Sequence, residues 1–175
     1  MNNDKTTVRK ILDAVKASGR DSLTAPEGKL VCDAYGITVP QESVVNSSAD
    51  AQKIATQMSY PVVMKIVSPD ILHKTEAGGV IVGVKSAQEA ADAYNKIIAN
   101  AKAYKSDASI IGVQVQQMIK GGQEVIIGAV TDPSFGKLVA FGLGGVLVEV
   151  LKDITFRLAP ATKEDALSML DAIKH

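Results

Sequence analysis

Residues 61–84 read PVVMKIVSPDILHKTEAGGVIVGV, and the meaning of this stretch decides the fold. Two runs rich in β-branched residues, Pro61–Val67 and Val80–Val84, have strand composition. They enclose a polar segment with one of the chain's two histidines, His73, flanked by Lys74 and Glu76 and closed by Gly78-Gly79. A strand, loop, strand unit follows from this pattern. Lys65 falls in the middle of the first strand, where a charged side chain buried without a partner would cost several kcal/mol.

Upstream, the pattern is helical. Val8, Ile11, Leu12 and Val15 recur at helical spacing, with Gly19 placed at the C-terminal end. Thr24 and Glu27 have capping-box spacing ahead of Leu30, Val31, Ala34 and Tyr35, and Gly36 ends that helix. Ile37–Val45 reads as an extended segment interrupted by Pro40. A short helix then starts at Ser48, turns Ile54 and Met58 inward, and is broken by Tyr60-Pro61.

Downstream, Ser86 and Glu89 form a second capping box before a long helix carrying Ala90, Tyr94, Ile97, Ile98 and Ala101 and ending near Lys102. Ile110–Val115 is the next strand. Glu124–Val130, Leu138–Gly142 and Val146–Leu151 then read as a meander, separated by Asp132-Pro133-Ser134-Phe135-Gly136 and by Gly144-Gly145. A last helix begins near Thr162 and carries Ala166, Leu167, Met169 and Leu170. The fold class is α+β, helix-rich to about Tyr60 and sheet-rich beyond, without internal repeats or a low-complexity linker.

Composition narrows the function. With 175 residues and 46% hydrophobic content the chain can bury a sizeable core. Nineteen basic residues balance nineteen acidic ones, so nothing suggests a nucleic-acid surface. Aromatic content of 4% without tryptophan leaves few stacking platforms for single strands. The single cysteine, Cys32, excludes an internal disulfide and suits a reducing compartment, by default the cytoplasm. No apolar run reaches membrane-spanning length.

Each candidate residue admits an ordinary and a functional reading. Lys65 could point outward from a half-exposed strand, or it could bind phosphate as a compact charge. His73 could be a solvated surface histidine, or a nucleophile accepting a phosphoryl group, with Lys74 screening the charge and Glu76 orienting the other ring nitrogen. Gly78-Gly79 and Gly144-Gly145 could be plain turns; the first pair could also let a carrier loop swing and the second bring backbone N–H groups to phosphates. Glu124, after Lys120-Gly-Gly-Gln123, and Arg157, before Leu-Ala-Pro160, are equally open.

The ordered set PVVMKIVSPDILHKTEAGGV (61–80), VQVQQMIKGGQEVIIGAVTDP (113–133), SFG (134–136), FGLGG (141–145) and DITFRLAP (153–160) resembles the ATP-grasp domain of the NDP-forming acyl-CoA synthetases, the ADP-forming acetyl-CoA synthetase group. It is more distantly similar to the nucleotide-binding subunit of succinyl-CoA synthetase. The resemblance covers nearly the whole chain. It implies an ATP-grasp fold with two α/β lobes and nucleotide between them. A helix-rich segment 1–60 would precede a lobe at 61–115, with an incomplete second lobe at 116–175. It further implies that Lys65 contacts ATP phosphates, that the backbone of Gln116-Gln117-Met118 holds the adenine, that Glu124 holds the ribose or nucleotide, and that His73 takes and relays a phosphoryl group. Gly78, Gly79, Gly144, Gly145 and Arg157 are the remaining expected nucleotide-site residues.

The implied reaction interconverts acyl-CoA, ADP and phosphate with acid, CoA and ATP through an acyl phosphate and phosphohistidine. ATP or ADP and Mg²⁺ are the expected cofactors, and CoA-binding and CoA-ligase domains, on this or a partner chain of an oligomer, the expected partners. Two departures stand out. The strand with an Asp-x-Asn-Pro pattern that supplies Mg²⁺ ligands in ATP-grasp proteins is missing, so the chain is expected to be a truncated piece, inactive alone. Lys137 also stands where the family usually has proline after SFG. Two other readings stay open: an ATP-grasp ligase of the carboxylate-amine kind, which needs no phosphohistidine, and a non-catalytic nucleotide-binding domain.

Overall fold

The computed structural model describes residues 4–145 and 153–174. The chain forms two compact units, 1–119 and 120–175. The division falls after the Gln116–Met118 segment, whereas the sequence reading placed a lobe boundary before it.

The first unit opens with a helical hairpin. α1 (Lys5–Ala17) is capped by Asp4, which accepts from the Thr7 N–H, and ends at Gly19, whose φ is +75°. α2 (Ala25–Ala34) carries the expected capping box. Glu27 accepts from the Thr24 N–H at 2.7 Å and takes a forked pair of bonds from the Arg20 guanidinium at 2.7 and 2.9 Å. The turn between the helices is thereby tied to the first turn of α2. That partnership holds the Glu27 carboxyl down at about 2, with the Arg20 bonds the largest cause.

The core is a four-stranded sheet built from β1 (Glu42–Val45), β2 (Val62–Val67), β3 (Val80–Val84) and β4 (Gly112–Gln117), in the order β1-β4-β2-β3. Every neighbouring pair is antiparallel. β1 and β2 therefore run parallel with β4 between them, and β3 and β4 run parallel with β2 between them. Each of these crossovers needs a helix, and the two helices are α3 (Ser48–Met58) and α4 (Ala87–Tyr104).

Both crossover helices bring small residues to the sheet. Ala51 and Ala55 of α3 and Ala90, Ala93 and Ala101 of α4 are buried with Val62, Met64 and Ile66 of β2, Val113 and Val115 of β4, and Ile97. The short alanine side chains let the helices approach closely while the strand residues fill the volume. β1 and α3 thus belong to the same core as the 61–115 segment.

The second unit is a meander of β5 (Val125–Asp132), β6 (Gly136–Leu143) and β7 (Ile154–Leu158), followed by α5 (Lys163–Asp171). β5 and β6 pair antiparallel around the turn at Asp132–Gly136, where the Asp132 carboxylate accepts from the Ser134 and Phe135 N–H groups at 2.8 and 2.9 Å. β7 is a strand the sequence reading did not assign. Its five residues include Arg157, and its pairing partner is β6. The expected strand Val146–Leu151 lies outside the described residues.

Candidate functional site

Alternation along β2 sets the position of Lys65. Val62, Met64 and Ile66 are buried in the core, so Val63 and Lys65 emerge on the opposite face of the sheet. There Lys65 is half-buried, and its Nζ donates to Gln116 Oε1 on β4 at 2.7 Å. Gln116 in turn stands opposite Glu42 of β1 in the ladder and donates through Nε2 to Glu42 Oε2 at 3.2 Å. A polar row, Lys65–Gln116–Glu42, thus crosses three adjacent strands.

Lys65 forms no ion pair among the described residues. Its only side-chain bond there is to a neutral amide. Burial depresses its pKa, the Lys74 charge adds to that, and Glu42 opposes both. The ammonium is desolvated and its charge is not cancelled by contact with a carboxylate. Such a group is suited to an incoming polyanion.

Gln117, the next residue expected at the base, donates its N–H to Gln41 O at 2.8 Å as a continuation of the β1–β4 pairing. Met118 lies past the end of β4.

The β2–β3 connection carries His73 on an open arc. The imidazole is 74% exposed, and its Nδ1 lies 3.8 Å from Glu76 Oε1, too far for a hydrogen bond. Beside it, Leu72, His73, Lys74, Thr75, Glu76 and Val80 line an open hollow of about 400 Å³. The base of the arc is fastened. Ile71 and Ala77 are buried, the Ala77 N–H bonds His73 O at 3.2 Å, and the Gly79 N–H bonds Lys74 O at 2.8 Å. On the entry side, the Asp70 carboxylate accepts from the Ser109 N–H at 2.6 Å.

The glycine pair has a packing cause. Gly78 has a φ of +60°, and its carbonyl oxygen accepts from Asn100 Nδ2 of α4 at 2.8 Å; a Cβ there would meet that nitrogen at 2.7 Å. A Cβ on Gly79 would lie 2.5 Å from Ile66 Cγ2. The pair therefore lets β2 and α4 clamp the foot of the histidine arc. Asn100 was missed in the sequence because its part depends on α4 packing back against the foot of the hairpin.

In the second unit, Glu124 and Gly144-Gly145 come together across the start of β5 and the end of β6. The Gly144 N–H donates to Glu124 O at 2.8 Å, so that group serves the sheet. A Cβ on Gly145, whose φ is +67°, would meet Glu124 Oε2 at 2.5 Å. Only glycine admits the carboxylate this close. Arg157 takes a different position. Its guanidinium donates to Ser168 Oγ of α5 and to Phe156 O, both at 2.8 Å, and it fastens β7 to the last helix.

No group of three or more His, Cys, Asp or Glu among the described residues is arranged to hold a metal ion. No described helix is long and apolar enough to cross a membrane.

Helices covering an antiparallel sheet that displays a central lysine, followed by a separate antiparallel meander, define the architecture of an ATP-grasp domain. The family model for the ATP-grasp domain matches residues 14–175. The chain is 49% identical over 166 residues to the beta subunit of acetate–CoA ligase (ADP-forming) I of Pyrococcus furiosus, covering 95% of this chain and 71% of that protein. A crystal structure of a Pyrococcus horikoshii Ot3 protein superposes with a TM-score of 0.91 at 44% identity, over 97% of this chain and 72% of the other. The dinucleotide forming acetyl-coenzyme A synthetase 1 of Ca. Korarchaeum cryptofilum, in complex with coenzyme A, Ca-AMPCP and HgCl⁺, matches with a TM-score of 0.87 at 42% identity, over 95% of this chain and 72% of that one. This chain belongs to the ATP-grasp domain family.

Proposed function

We propose that the chain is the nucleotide-binding part of an ADP-forming acyl-CoA synthetase, which interconverts acyl-CoA, ADP and phosphate with acid, CoA and ATP. The observation that supports this most is that one hairpin, β2–β3, carries both an exposed imidazole and a half-buried ammonium bonded, among the described residues, only to an amide. The relatives' names agree with it.

In this reading Lys65 exchanges its Gln116 bond for a phosphate oxygen and neutralises charge that develops as the phosphoryl group moves. The unprotonated nitrogen of His73 attacks the γ-phosphorus of ATP. The bond from phosphorus to the bridging oxygen breaks, ADP departs with the electron pair, and an N–P bond forms. Passing that group on toward the acid gives an acyl phosphate, whose acyl carbon the CoA thiolate attacks, forming the thioester as phosphate leaves with the electron pair of the broken C–O bond. Glu76, whose Oε1 lies 3.8 Å from Nδ1, is assigned to orient the other ring nitrogen. The backbone of Gln116, Gln117 and Met118 is assigned to the base, and Glu124 with the glycines at 144–145 to the ribose or phosphates. Arg157 is given the structural role of holding α5.

Mg²⁺ would neutralise phosphate charge, but the described residues do not offer a donor set for it, and no step here runs through it. The CoA-handling parts are assigned to further domains or a partner subunit, as the name of the Pyrococcus relative suggests. A reducing, cytoplasmic setting fits the single cysteine.

The test is transfer of label from γ-phosphate-labelled Mg-ATP in the presence of the partner subunits. Acid-labile, base-stable label on this chain, absent from His73→Ala, supports the reading. Normal turnover by His73→Ala would replace it with direct transfer, as in a carboxylate-amine ligase.

A further inference from the structure

Lys65 can only donate, a carboxylate can only accept, and an amide does one at each end. Gln116, lying between Lys65 and Glu42, therefore must present Nε2 to Glu42 and Oε1 to Lys65, as it does at 3.2 and 2.7 Å. If the amide turned over, its NH₂ would face the ammonium and its oxygen would face the carboxylate. Both contacts would then be repulsive. Strand register fixes this geometry, because Glu42 and Gln116 are direct partners while Gln116 and Lys65 are diagonal ones.

From this we infer that Glu42, at the start of β1, is a positioning residue for the nucleotide-phosphate lysine: it orients the Gln116 amide and supports the charge of Lys65 from one amide's distance, without contacting it. The inference rests on the proposed nucleotide site. Direct contact would neutralise the ammonium, and an incoming phosphate would have to break an ion pair. Separation by a neutral amide leaves the charge available, while the field of Glu42 opposes part of the desolvation of Lys65 and the repulsion of Lys74. The charged groups acting on Lys65 are Glu42 from β1 and Lys74 from the histidine arc; Gln116 from β4 is neutral. Lys29 of α2 feels the Glu42 charge as well, but it is paired with Asp33 at 2.5 Å.

Glu42→Gln is the discriminating variant, since it keeps an acceptor for Gln116 and removes only the charge. ATP affinity is measured by calorimetry from pH 6 to 10 for wild type and variant. Without the Glu42 charge Lys65 loses its proton at lower pH, so the alkaline fall in affinity begins earlier. The variant then binds ATP about tenfold more weakly than wild type in the alkaline range, with a smaller difference near pH 6. Affinity unchanged, or reduced equally at every pH, overturns the inference while leaving the nucleotide site intact, as does loss of cooperative thermal unfolding, which would make Glu42 a structural residue. Absence of ATP binding by the wild type overturns the proposed site itself, and the inference with it.

Discussion

Lys65 Nζ donates to Gln116 Oε1 at 2.7 Å across the β2–β4 ladder, joining residues 51 positions apart. A lysine at this depth without an ion pair among the described residues is a cost to the fold that a phosphate ligand would relieve. Function and apo stability therefore pull in opposite directions at this position.

Lys65→Met is expected to leave the thermal midpoint unchanged or to raise it, because an apolar isostere removes the desolvation cost. The pH dependence follows from the depressed pKa. Between that lowered value and the ordinary lysine value of 10.5 the unfolded chain binds more protons than the native one, so wild-type stability rises with pH across that alkaline window. Chemical denaturation at several alkaline pH values will show the rise in wild type and not in the variant. A variant much less stable than wild type at pH 7 would contradict the account.

Glu27→Gln removes the carboxylate that binds both Arg20 and the N-terminus of α2. The expected loss is about 1 kcal/mol at neutral pH, limited by solvent screening. Because the folded carboxyl titrates at about 2 and an ordinary glutamate at 4.5, the contribution is fully present above 4.5 and fades as pH falls through about 2. Denaturation curves of the two proteins should therefore converge in acid.

Gly79→Ala forces a methyl group to within 2.5 Å of Ile66 Cγ2 and 3.1 Å of Lys74 O. Overpacking of this kind costs about 1–3 kcal/mol. In an Ile66→Leu background, which lacks the β-branch methyl, the same change should cost less. Equal costs in both backgrounds, measured by urea unfolding, would show that the close approach is not the cause.

Much of the fold was legible locally. Helical periodicity and the Thr24/Glu27 box marked α1 and α2, and the two apolar runs around His73 marked β2 and β3. The second box was half right. Ser86 accepts from the Glu89 N–H, but the Glu89 carboxylate reaches the Lys85 N–H instead of that of Ser86. β7 went unread because Ile154–Leu158 is short and interrupted by a charge, and its identity as a strand comes from pairing with β6.

The candidate site was legible in its residue types and not in its connections. Lys65 and His73 stood out by chemistry, and Gln116 entered only through the family resemblance, for its backbone. Glu42 did not, since in the context PQESVV it reads as the polar end of an extended segment. Its part emerges only when the order β1-β4-β2 brings it beside a residue 74 positions away. Likewise, the clamp of Asn100 on Gly78 depends on α4 packing back over the hairpin.

The most direct test of the central claim is a calorimetric titration of the protein with Mg-ATP, run beside Lys65→Ala. The account predicts saturable binding by wild type and affinity at least about tenfold weaker in the variant, since a partly desolvated charge contact to phosphate is lost. Equal affinity for the two proteins would contradict it, because the lysine at the centre of the sheet would then have no part in holding the nucleotide.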